Sequence, residues 1–538
     1  MVATPETPTG VPPTPPRGRV RSAIGWSYVL TGGRVGSSIV VTFLLAKLLG
    51  PHEFGLVTMA GVFIAVGQTL IQQGLVSAIV QRDRLTAEHL DAAFGVLLLA
   101  GLAGTALTVA LSPIWALVNR QPGLTAVCLA LAPLVLLQGL ATVPESVLRR
   151  ELQFRAVAIR TLVAALASGV VGVALALAGA GIWALVAQQL VNAAIGVVVL
   201  WVICPWRPSR RPRLGAIREL WGYSAHSANA GIGLMLSSRA DIIFAGIFFG
   251  PVATGIYRLA SRLPDMLVEV TVRSLQQVAL PSLSRLQTDR RRFAAHLTEL
   301  QHFGAVAGLP VLGVLSAVAD PLVRFLGPQW AGTATPLRLL CLFGAVNVFG
   351  LLLGPALQAI GQPGRLAALL WSRAVLGVAT LAAVGALLTG RHAVVQASAI
   401  ALAGIGMQLA VTAATVWVTV RRAADAPVGR FLAPTVPAVL AALAAALVPL
   451  ATGRFGGGEL GPLPELLLTG AAAGLVAGVV LGCADGPLRR LLLVRLRRPR
   501  TPPDGTELPG GTGLPGGTGL PGPAPRPAEG GGAVTPAG

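Results

Sequence analysis

Charged residues are scarce in this sequence. They make up 12% of the 538 residues, against 54% hydrophobic residues, and a typical soluble domain carries about twice that charged fraction. Lys47 is the one lysine, so nearly all basic residues are arginines. The formal net charge is +20, but the charges interrupt long apolar runs and form no solvated basic face of the kind that binds nucleic acid. The composition therefore excludes a soluble enzyme and a DNA-binding protein.

Cysteine is also rare. The four cysteines, Cys128, Cys204, Cys341 and Cys483, lie far apart in apolar segments. They have neither the spacing of a zinc site nor that of a disulfide framework. A secreted disulfide scaffold is excluded, and we predict no metal and no cofactor. The remaining class is a polytopic membrane protein.

Apolar runs divide the chain into stretches of about 20 residues, the length at which a helix crosses about 30 Å of hydrocarbon. Helices are expected because lipid offers backbone groups no hydrogen-bond partners, and the runs lack the alternation of barrel strands. The sequence predicts an all-α protein with fourteen transmembrane helices. Their approximate ranges are 22–48, 54–79, 91–118, 122–145, 157–179, 181–204, 220–248, 251–280, 302–319, 333–360, 365–389, 393–419, 431–452 and 463–484.

Every second loop between these helices is rich in arginine. One set of loops carries clusters such as Arg149–Arg150 and Arg290–Arg292, whereas the other set holds Arg120, Arg324, Arg391 and Arg454. Cytoplasmic loops are enriched in arginine and lysine, so both termini are predicted to be cytoplasmic in the cell membrane. A miscounted helix would invert the alternation downstream, which supports an even number of helices.

These helices predict six regions. They are a disordered cytoplasmic N-tail (1–21), an N-terminal six-helix lobe (22–205), a basic cytoplasmic linker (206–219), a C-terminal six-helix lobe (220–420), an extra helix pair (431–484) and a disordered cytoplasmic C-tail (485–538). The tails are rich in proline and glycine, which is typical of disordered segments.

An internal repeat relates the two lobes. Residues Gly50–Ala60 and Gly250–Ala260 share the pattern G-P-x-x-x-G-[LI]-x-x-x-A at an offset of 200 residues. Six predicted helices separate the copies, and an even number of helices per unit produces parallel repeats related by an axis along the membrane normal. Chance is an alternative, because a Gly-Pro turn after an apolar helix is common. Two such pseudo-symmetric halves suit alternating access to a site between them, and they indicate a transporter.

A row of charges crosses the predicted eighth helix. Its members, hereafter the charged stripe, are spaced four, three, four and four residues apart, which places them on one helical face: Arg258, Arg262, Asp265, Glu269 and Arg273. At 1.5 Å per residue the stripe is about 22 Å long. A mid-membrane arginine costs at least about 2.5–3.5 kcal/mol, so this face is expected to line a wet cavity or to pair with polar groups.

Polar side chains on other predicted helices are candidate neighbours of the stripe. They are Arg34 on the first helix, Gln68 and Gln72 on the second, Arg239 and Asp241 on the seventh, and Arg373 within or near an end of the eleventh. One interpretation is a set of internal salt bridges that only fix packing. The other is a net-cationic cavity for an anionic ligand, because guanidinium groups suit bidentate phosphate binding. Asp241, Asp265 and Glu269 are candidates for coupling a proton or a sodium ion.

Several segments resemble a known family. LLAKLLGPHEFGLVTMAGVF (44–63), GLVSAIVQRDRLTAEHLDAAF (74–94) and VPESVLRRELQFRAVAIR (143–160) resemble the polysaccharide exporters of the MOP superfamily, in the Wzx-type and teichuronic-acid-exporter branch. DPLVRFLGPQWAGTATPLRLL (320–340) and ALQAIGQPGR (356–365) are similar to later segments of that branch. The likeness covers about residues 20–420.

The resemblance implies a function and a site. It implies two six-helix halves that move an undecaprenyl-diphosphate-linked oligosaccharide across the cytoplasmic membrane by alternating access, for cell-surface polysaccharide biosynthesis. It implies a cationic cavity, carried over by helix and depth to Arg34, Arg239, Arg258 and Arg262, with Arg273, Gln68 and Gln72 as further lining residues. The extra pair at 431–484 resembles the arrangement in lipid II flippases, where such a pair forms a groove for the lipid tail.

Other functions remain as alternatives. A drug or small-molecule exporter of the same superfamily would have a cavity dominated by acidic residues. A membrane glycosyltransferase or polymerase would need a large outside loop with catalytic groups, and no paired-carboxylate or Ser/His/Asp constellation is apparent. A scaffold role is the remaining alternative. The expected partners are a lipid-linked oligosaccharide, membrane lipid and a coupling proton or sodium ion, without nucleic acid. We expect a monomer that associates with polysaccharide-assembly proteins.

Overall fold

The computed structural model consists of helices joined by short turns. It describes residues 36–81, 87–151, 153–208, 214–423, 427–452 and 461–486, and these ranges contain no β-strand. The first seven helices are α1 (Gly36–Leu48), α2 (Pro51–Gln81), α3 (Ala87–Val118), α4 (Gly123–Leu131), α5 (Pro133–Arg150), α6 (Phe154–Leu177) and α7 (Ile182–Ile203).

Eleven further helices follow. They are α8 (Leu214–Thr271), α9 (Arg273–Ser284), α10 (Arg290–Ala317), α11 (Ala319–Leu326), α12 (Ala334–Leu351), α13 (Leu353–Ala359), α14 (Pro363–Leu388), α15 (Ala393–Val416), α16 (Val428–Leu432), α17 (Val436–Thr452) and α18 (Pro462–Ala484). A π-helical turn at Trp417–Ala423 follows α15, and 3₁₀ turns lie at Pro328–Trp330 and Ala433–Thr435.

The prediction of a helical membrane protein is confirmed. Eleven helical segments within the described residues are long and apolar enough to cross a membrane, and they coincide with predicted helices 3–6 and 8–14. The first predicted helix is described only from Gly36, and the second corresponds to α2. The predicted count of fourteen therefore remains a prediction.

The seventh and eighth predicted helices correspond to the two legs of α8, which are separated by a break in the helix. α8 is interrupted at Gly250, whose φ of 78° and ψ of −171° are not helical. A positive φ of this kind is easily adopted by glycine, and Pro251 then begins the second leg at a position where a missing N–H costs nothing. The second leg ends at Thr271, earlier than the predicted 280, and α9 begins two residues later. The charges of the predicted eighth helix are thus divided between two helices.

Buried side chains form separate clusters along the chain. One cluster draws its buried members from residues 45–204. Another joins Ala46 and Val62 to residues 240–401, and two more combine residues 268–481 and 279–431. Large apolar side chains outside these clusters, such as Leu387 and Leu450, are 79% and 74% exposed, as expected of a surface that faces lipid.

Helices α17 and α18 pack against α10. The closest approach is at Gly313, where a Cβ would lie 2.4 Å from the carbonyl oxygen of Ala442. His302 on α10 contacts the Pro434 carbonyl through Nδ1 at 2.7 Å and the Asp485 carboxylate through Nε2 at 3.2 Å. An ion pair between Arg324 and Glu465 joins α11 to α18. The extra helix pair is therefore fixed to α10 and α11.

Candidate functional site

The two copies of the Gly-Pro repeat contact each other directly. A Cβ on Gly55 would lie 1.8 Å from the carbonyl oxygen of Pro251, and a Cβ on Gly255 would lie 1.9 Å from that of Pro51. The backbone at the start of each helix thus packs directly against the glycine of the other helix, where a side chain would not fit. The arrangement is reciprocal, because Gly55 packs on Pro251 and Gly255 packs on Pro51. We name these four residues the Gly-Pro contact. The repeat recognised in the sequence forms the point at which α2 and the second leg of α8 meet.

A second group of contacts closes the same end around the last turn of α1. The indole Nε1 of Trp330 donates to the Ala46 carbonyl at 2.6 Å, and the amide of Gln329 donates to the Lys47 carbonyl at 3.1 Å. The carbonyls of a helix's last turn have no intrahelical donor, so the segment after α11 supplies the donors. The Trp330 ring also packs edge-on against Phe54, with ring centroids 5.5 Å apart.

The charged stripe occupies the accessible side of an otherwise buried helix. Along the second leg of α8, Arg258, Arg262 and Glu269 are partly exposed and Asp265 is exposed. Most positions between Ile256 and Pro264, apart from the two arginines, are buried. These four members extend over about 17 Å of the helix at 1.5 Å per residue. The stripe therefore keeps accessible surface and is not sealed inside a dry core.

Charges from both legs of α8 act on one another. Arg258 has Arg262 and Arg239 as repulsive neighbours and Asp265 and Asp241 as attractive ones. Tyr257 donates its hydroxyl to Asp241 at 2.7 Å. Asp241 precedes the break at Gly250 and Tyr257 follows it, so the hydrogen bond shows that the two legs lie side by side. Residues of the seventh and eighth predicted helices therefore lie in one charged group, and their assignment to a binding site stays a prediction.

The stripe also reaches the first helix. The Arg262 guanidinium donates to the Ser38 hydroxyl on α1 at 3.1 Å. This contact joins the second leg of α8 to a helix that lies 224 positions earlier in the sequence. Asp265 and Glu269 lie within electrostatic reach of the same guanidinium, and both carboxylates have interaction partners.

Arg373 joins this group from α14. It lies near the middle of that helix, ten residues after its first residue, and interacts electrostatically with Asp241. The sequence left open whether Arg373 lies within the eleventh helix or near its end, and the structure places it within the helix. Its neighbour Asp241 therefore faces two fixed groups, the Tyr257 hydroxyl and a guanidinium.

The remaining candidates lie on another helix or outside the described residues. Gln68 on α2 is partly buried, and its amide donates to the Leu134 carbonyl at 3.2 Å, at the start of α5. Arg34 lies outside the described residues, and so do the side chains of Gln72 and Arg273. Arg273 begins α9, two residues after α8 ends. The described group therefore contains Arg239, Arg258 and Arg262 against Asp241, Asp265 and Glu269, with Arg373 as an additional cation.

This arrangement can bind an anion. Guanidinium groups present paired N–H donors that match phosphate or carboxylate oxygens, and a low-dielectric surrounding strengthens such bonds. Nearby carboxylates offset part of the positive charge and could exchange a cation. Within the described residues there is no group of three or more histidine, cysteine, aspartate or glutamate side chains placed to hold a metal ion.

Comparisons with known proteins identify related chains. A family model described as polysaccharide biosynthesis protein matches residues 44–335, more than half of the chain. The succinoglycan biosynthesis transport protein ExoT of Rhizobium meliloti is 26% identical over 494 residues, which cover 90% of this chain and 97% of ExoT. The lipopolysaccharide biosynthesis protein WzxC of Escherichia coli is 24% identical over 64% of this chain and 70% of its own.

The fold is similar to a solved structure. The lipid II flippase MurJ in an inward closed conformation superposes with a TM-score of 0.64, over 88% of this chain and 99% of MurJ, at 15% sequence identity. At this identity the match describes the fold.

Proposed function

Because this chain belongs to the polysaccharide biosynthesis protein family, we propose that it moves a lipid-linked oligosaccharide across the cytoplasmic membrane. The family resemblance stated from the sequence is confirmed, and the chain is a multi-pass membrane protein. Relatives such as ExoT and WzxC are named for the transport of succinoglycan and for lipopolysaccharide biosynthesis. The polysaccharide class of the cargo is carried to this chain from these names.

The observation that carries the proposal is the accessible charged stripe on α8. Ionised groups at membrane depth are expensive, and they are found mainly where they face a cavity or pair with one another. Arg258 and Arg262 remain partly exposed although the other residues between Ile256 and Pro264 are buried. We propose that these two guanidinium groups, with Arg239, bind the diphosphate of the carrier or an acidic sugar. Arg34, Arg273, Gln68 and Gln72 remain sequence-based candidates for the same site.

We propose that the chain works as two six-helix halves around this site. The reciprocal Gly-Pro contact supports this layout, because it joins the second helix of one repeat to the second helix of the other. Alternating access then consists of separating the halves at the Gly-Pro contact while they approach at the opposite end. Residues 431–484 would form the additional helix pair outside the two halves.

We further propose that both termini are cytoplasmic. The distribution of arginines supports this orientation, and it puts the Gly-Pro contact and Trp330 on the outer side. In this orientation the described state is closed toward the outside. Substrate would enter from the cytoplasmic side, where the lipid-linked oligosaccharide is assembled.

The carboxylates are proposed to couple transport to a proton or sodium gradient. Asp265 is the exposed acidic member of the stripe, and Glu269 follows one turn later on the same face. A carboxylate near guanidinium groups changes its protonation when an anion displaces it from them. Asp241 is a weaker candidate, since it already accepts a hydrogen bond from Tyr257 and interacts electrostatically with Arg373.

A flipping assay tests the proposed function. Purified protein is reconstituted in vesicles with a lipid-linked oligosaccharide, and transfer is measured as protection from a membrane-impermeant glycosidase. We expect Arg258→Ala and Arg262→Ala each to abolish transfer at normal membrane abundance. Arg262→Lys should keep the charge but lose the paired donors, and so retain part of the activity.

The matched control is Arg391→Ala, because Arg391 is an exposed arginine between α14 and α15. It should transfer substrate at the wild-type rate. Full activity in both Arg258→Ala and Arg262→Ala would remove the stripe from the transport site. Absence of transfer by the wild-type protein, with its fold intact, would contradict the flippase assignment itself.

A further inference from the structure

The Gly-Pro contact sets a residue-by-residue register between α2 and the second leg of α8. Pro51 and Gly55 occupy in one helix the places that Pro251 and Gly255 occupy in the other, at an offset of 200 residues. Both helices leave the contact in register, so each position on α8 has a counterpart on α2. The two helices are the equivalent walls of the two repeats.

The counterparts of the charged stripe carry no charge. Subtracting 200 from its four described members gives the following residues: Thr58, Val62, Ala65 and Thr69. Thr58, Ala65 and Thr69 are partly exposed, whereas Val62 is buried. The Thr69 hydroxyl donates to the Ala65 carbonyl of its own helix at 2.7 Å. The α2 wall is thus small and neutral where the α8 wall carries two arginines and two carboxylates.

Building on the proposed function, we propose that the anionic group of the lipid-linked substrate is held by α8 and not by α2. The residues that bind the anionic group belong to the C-terminal repeat. The facing residues of α2 border the substrate but form no charged hydrogen bond with it. The specificity for a diphosphate or acidic sugar then resides in Arg258 and Arg262, and the neutrality of Thr58 and Thr69 is itself a functional property.

The physical reason lies in the separation of the repeats. A hydrogen bond to a charged group contributes about 1.5–3 kcal/mol. A ligand bound by such bonds to both α2 and α8 would link the two repeats. Each time the repeats separate, the hydrogen bonds to one of these helices would have to break. A ligand held by one wall leaves the other free to move, which agrees with the general need for a transport site to bind weakly enough to release.

The contact between Arg262 and Ser38 fits this asymmetry. It is a bond from a guanidinium to a neutral hydroxyl, which an anionic ligand can replace with a stronger, doubly charged interaction. Binding at the stripe would then remove one link between α8 and α1. A cation on α2 would act in the opposite sense, since it would add a link through the ligand.

Exchange of one pair of counterpart residues tests the inference. The variants are Arg258→Thr, Thr58→Arg and the double variant, in nanodiscs for binding and in vesicles for flipping. The probe is undecaprenyl diphosphate that carries a single sugar. We expect Arg258→Thr to weaken binding about 10- to 100-fold, the loss of one charged bond. Thr58→Arg should bind the probe at least as tightly as wild type but flip it several-fold more slowly.

The double variant gives the decisive result. It keeps the number of arginines and moves one to the other wall, so we expect flipping to stay low. Wild-type flipping by the double variant would overturn the inference and leave the flippase function in place. Equal loss of binding in Arg34→Ala and Arg258→Thr would overturn it as well, because the ligand would then depend on both repeats.

Two further controls distinguish a variant that fails to fold, and a failure of the proposed function, from a failure of this inference. If Thr58→Arg does not reach wild-type membrane abundance, Thr69→Arg places the charge about 16 Å further along α2 and carries the same expectation. If the wild-type protein neither binds nor flips the probe, a diphosphate carrier is wrong, and the proposed function fails before the asymmetry is considered.

Discussion

Adding one methyl group at Gly55 should force the two repeats apart. The new Cβ would lie 1.8 Å from the Pro251 carbonyl oxygen, whereas a carbon and an oxygen in contact are normally about 3.3 Å apart. The backbones would have to separate by about 1.5 Å. Overpacking of this kind costs about 1–3 kcal/mol. The higher helix propensity of alanine does not offset this cost, because α2 is helical in both the closed and the open state. We expect a loss of about 1–3 kcal/mol for the state closed at the Gly-Pro contact.

The matched control is Gly61→Ala on the same helix, where a Cβ would meet nothing within 4 Å. Spin labels at His52→Cys and Val252→Cys, both exposed at the starts of the two helices, report the distance across this end. A loss of 1.4 kcal/mol changes an equilibrium tenfold, so Gly55→Ala should raise the ratio of the long-distance to the short-distance population about 5- to 150-fold. Gly61→Ala should leave the distribution unchanged.

The reciprocal geometry of the Gly-Pro contact allows a second test of the same interface. Gly255→Ala forces apart the same two backbones that Gly55→Ala separates, so the double variant should cost less than the sum of the single variants; residues in contact are not additive. Identical distance distributions for Gly55→Ala, Gly61→Ala and wild type would refute the close contact. Strict additivity of the two glycine substitutions would refute the reciprocal arrangement.

Two further predictions concern contacts around the site. Trp330→Phe keeps the ring but removes the donor to Ala46, and should destabilise the closed end by about 1 kcal/mol; the same spin-label distance measures it, and an unchanged distribution contradicts it. Gly313→Ala should loosen the extra helix pair, because its Cβ would lie 2.4 Å from the Ala442 carbonyl oxygen. Its control is Gly474→Ala, which meets nothing within 4 Å. The thermal stability of the purified protein should fall in Gly313→Ala alone, and equal stability of both variants would count against this packing.

The sequence predicted the features that depend on local pattern. Apolar length is enough to predict membrane helices, and the Gly-Pro pattern at an offset of 200 residues identified two segments that the structure brings into contact; the equivalence of the two halves stays a prediction. The spacing of Arg258, Arg262, Asp265 and Glu269 predicted a single face. These inferences succeed because periodicity and turn chemistry act over a few residues.

Other features depend on which helices pack together. The depth of Arg373 and its proximity to Asp241 follow from the position of α14 against α8. The donation from Trp330 to Ala46 joins residues 284 positions apart, and no local pattern announces it. The division of the charges between α8 and α9 depends on a helix end at Thr271. Tertiary contacts decide these points, and a single sequence contains no record of them.

The central claim is that the charged stripe faces a water-filled passage. Its most direct test is the reactivity of Asp265→Cys with an anionic, membrane-impermeant thiol reagent, in a background with the exposed Cys483 replaced by serine. The reference is Val375→Cys on α14, because Val375 is 65% exposed and belongs to the apolar surface. We predict modification of Asp265→Cys at least about tenfold faster than Val375→Cys, slowed by added pyrophosphate. Equal and slow reaction at both positions would show that no water reaches the stripe and would contradict the account.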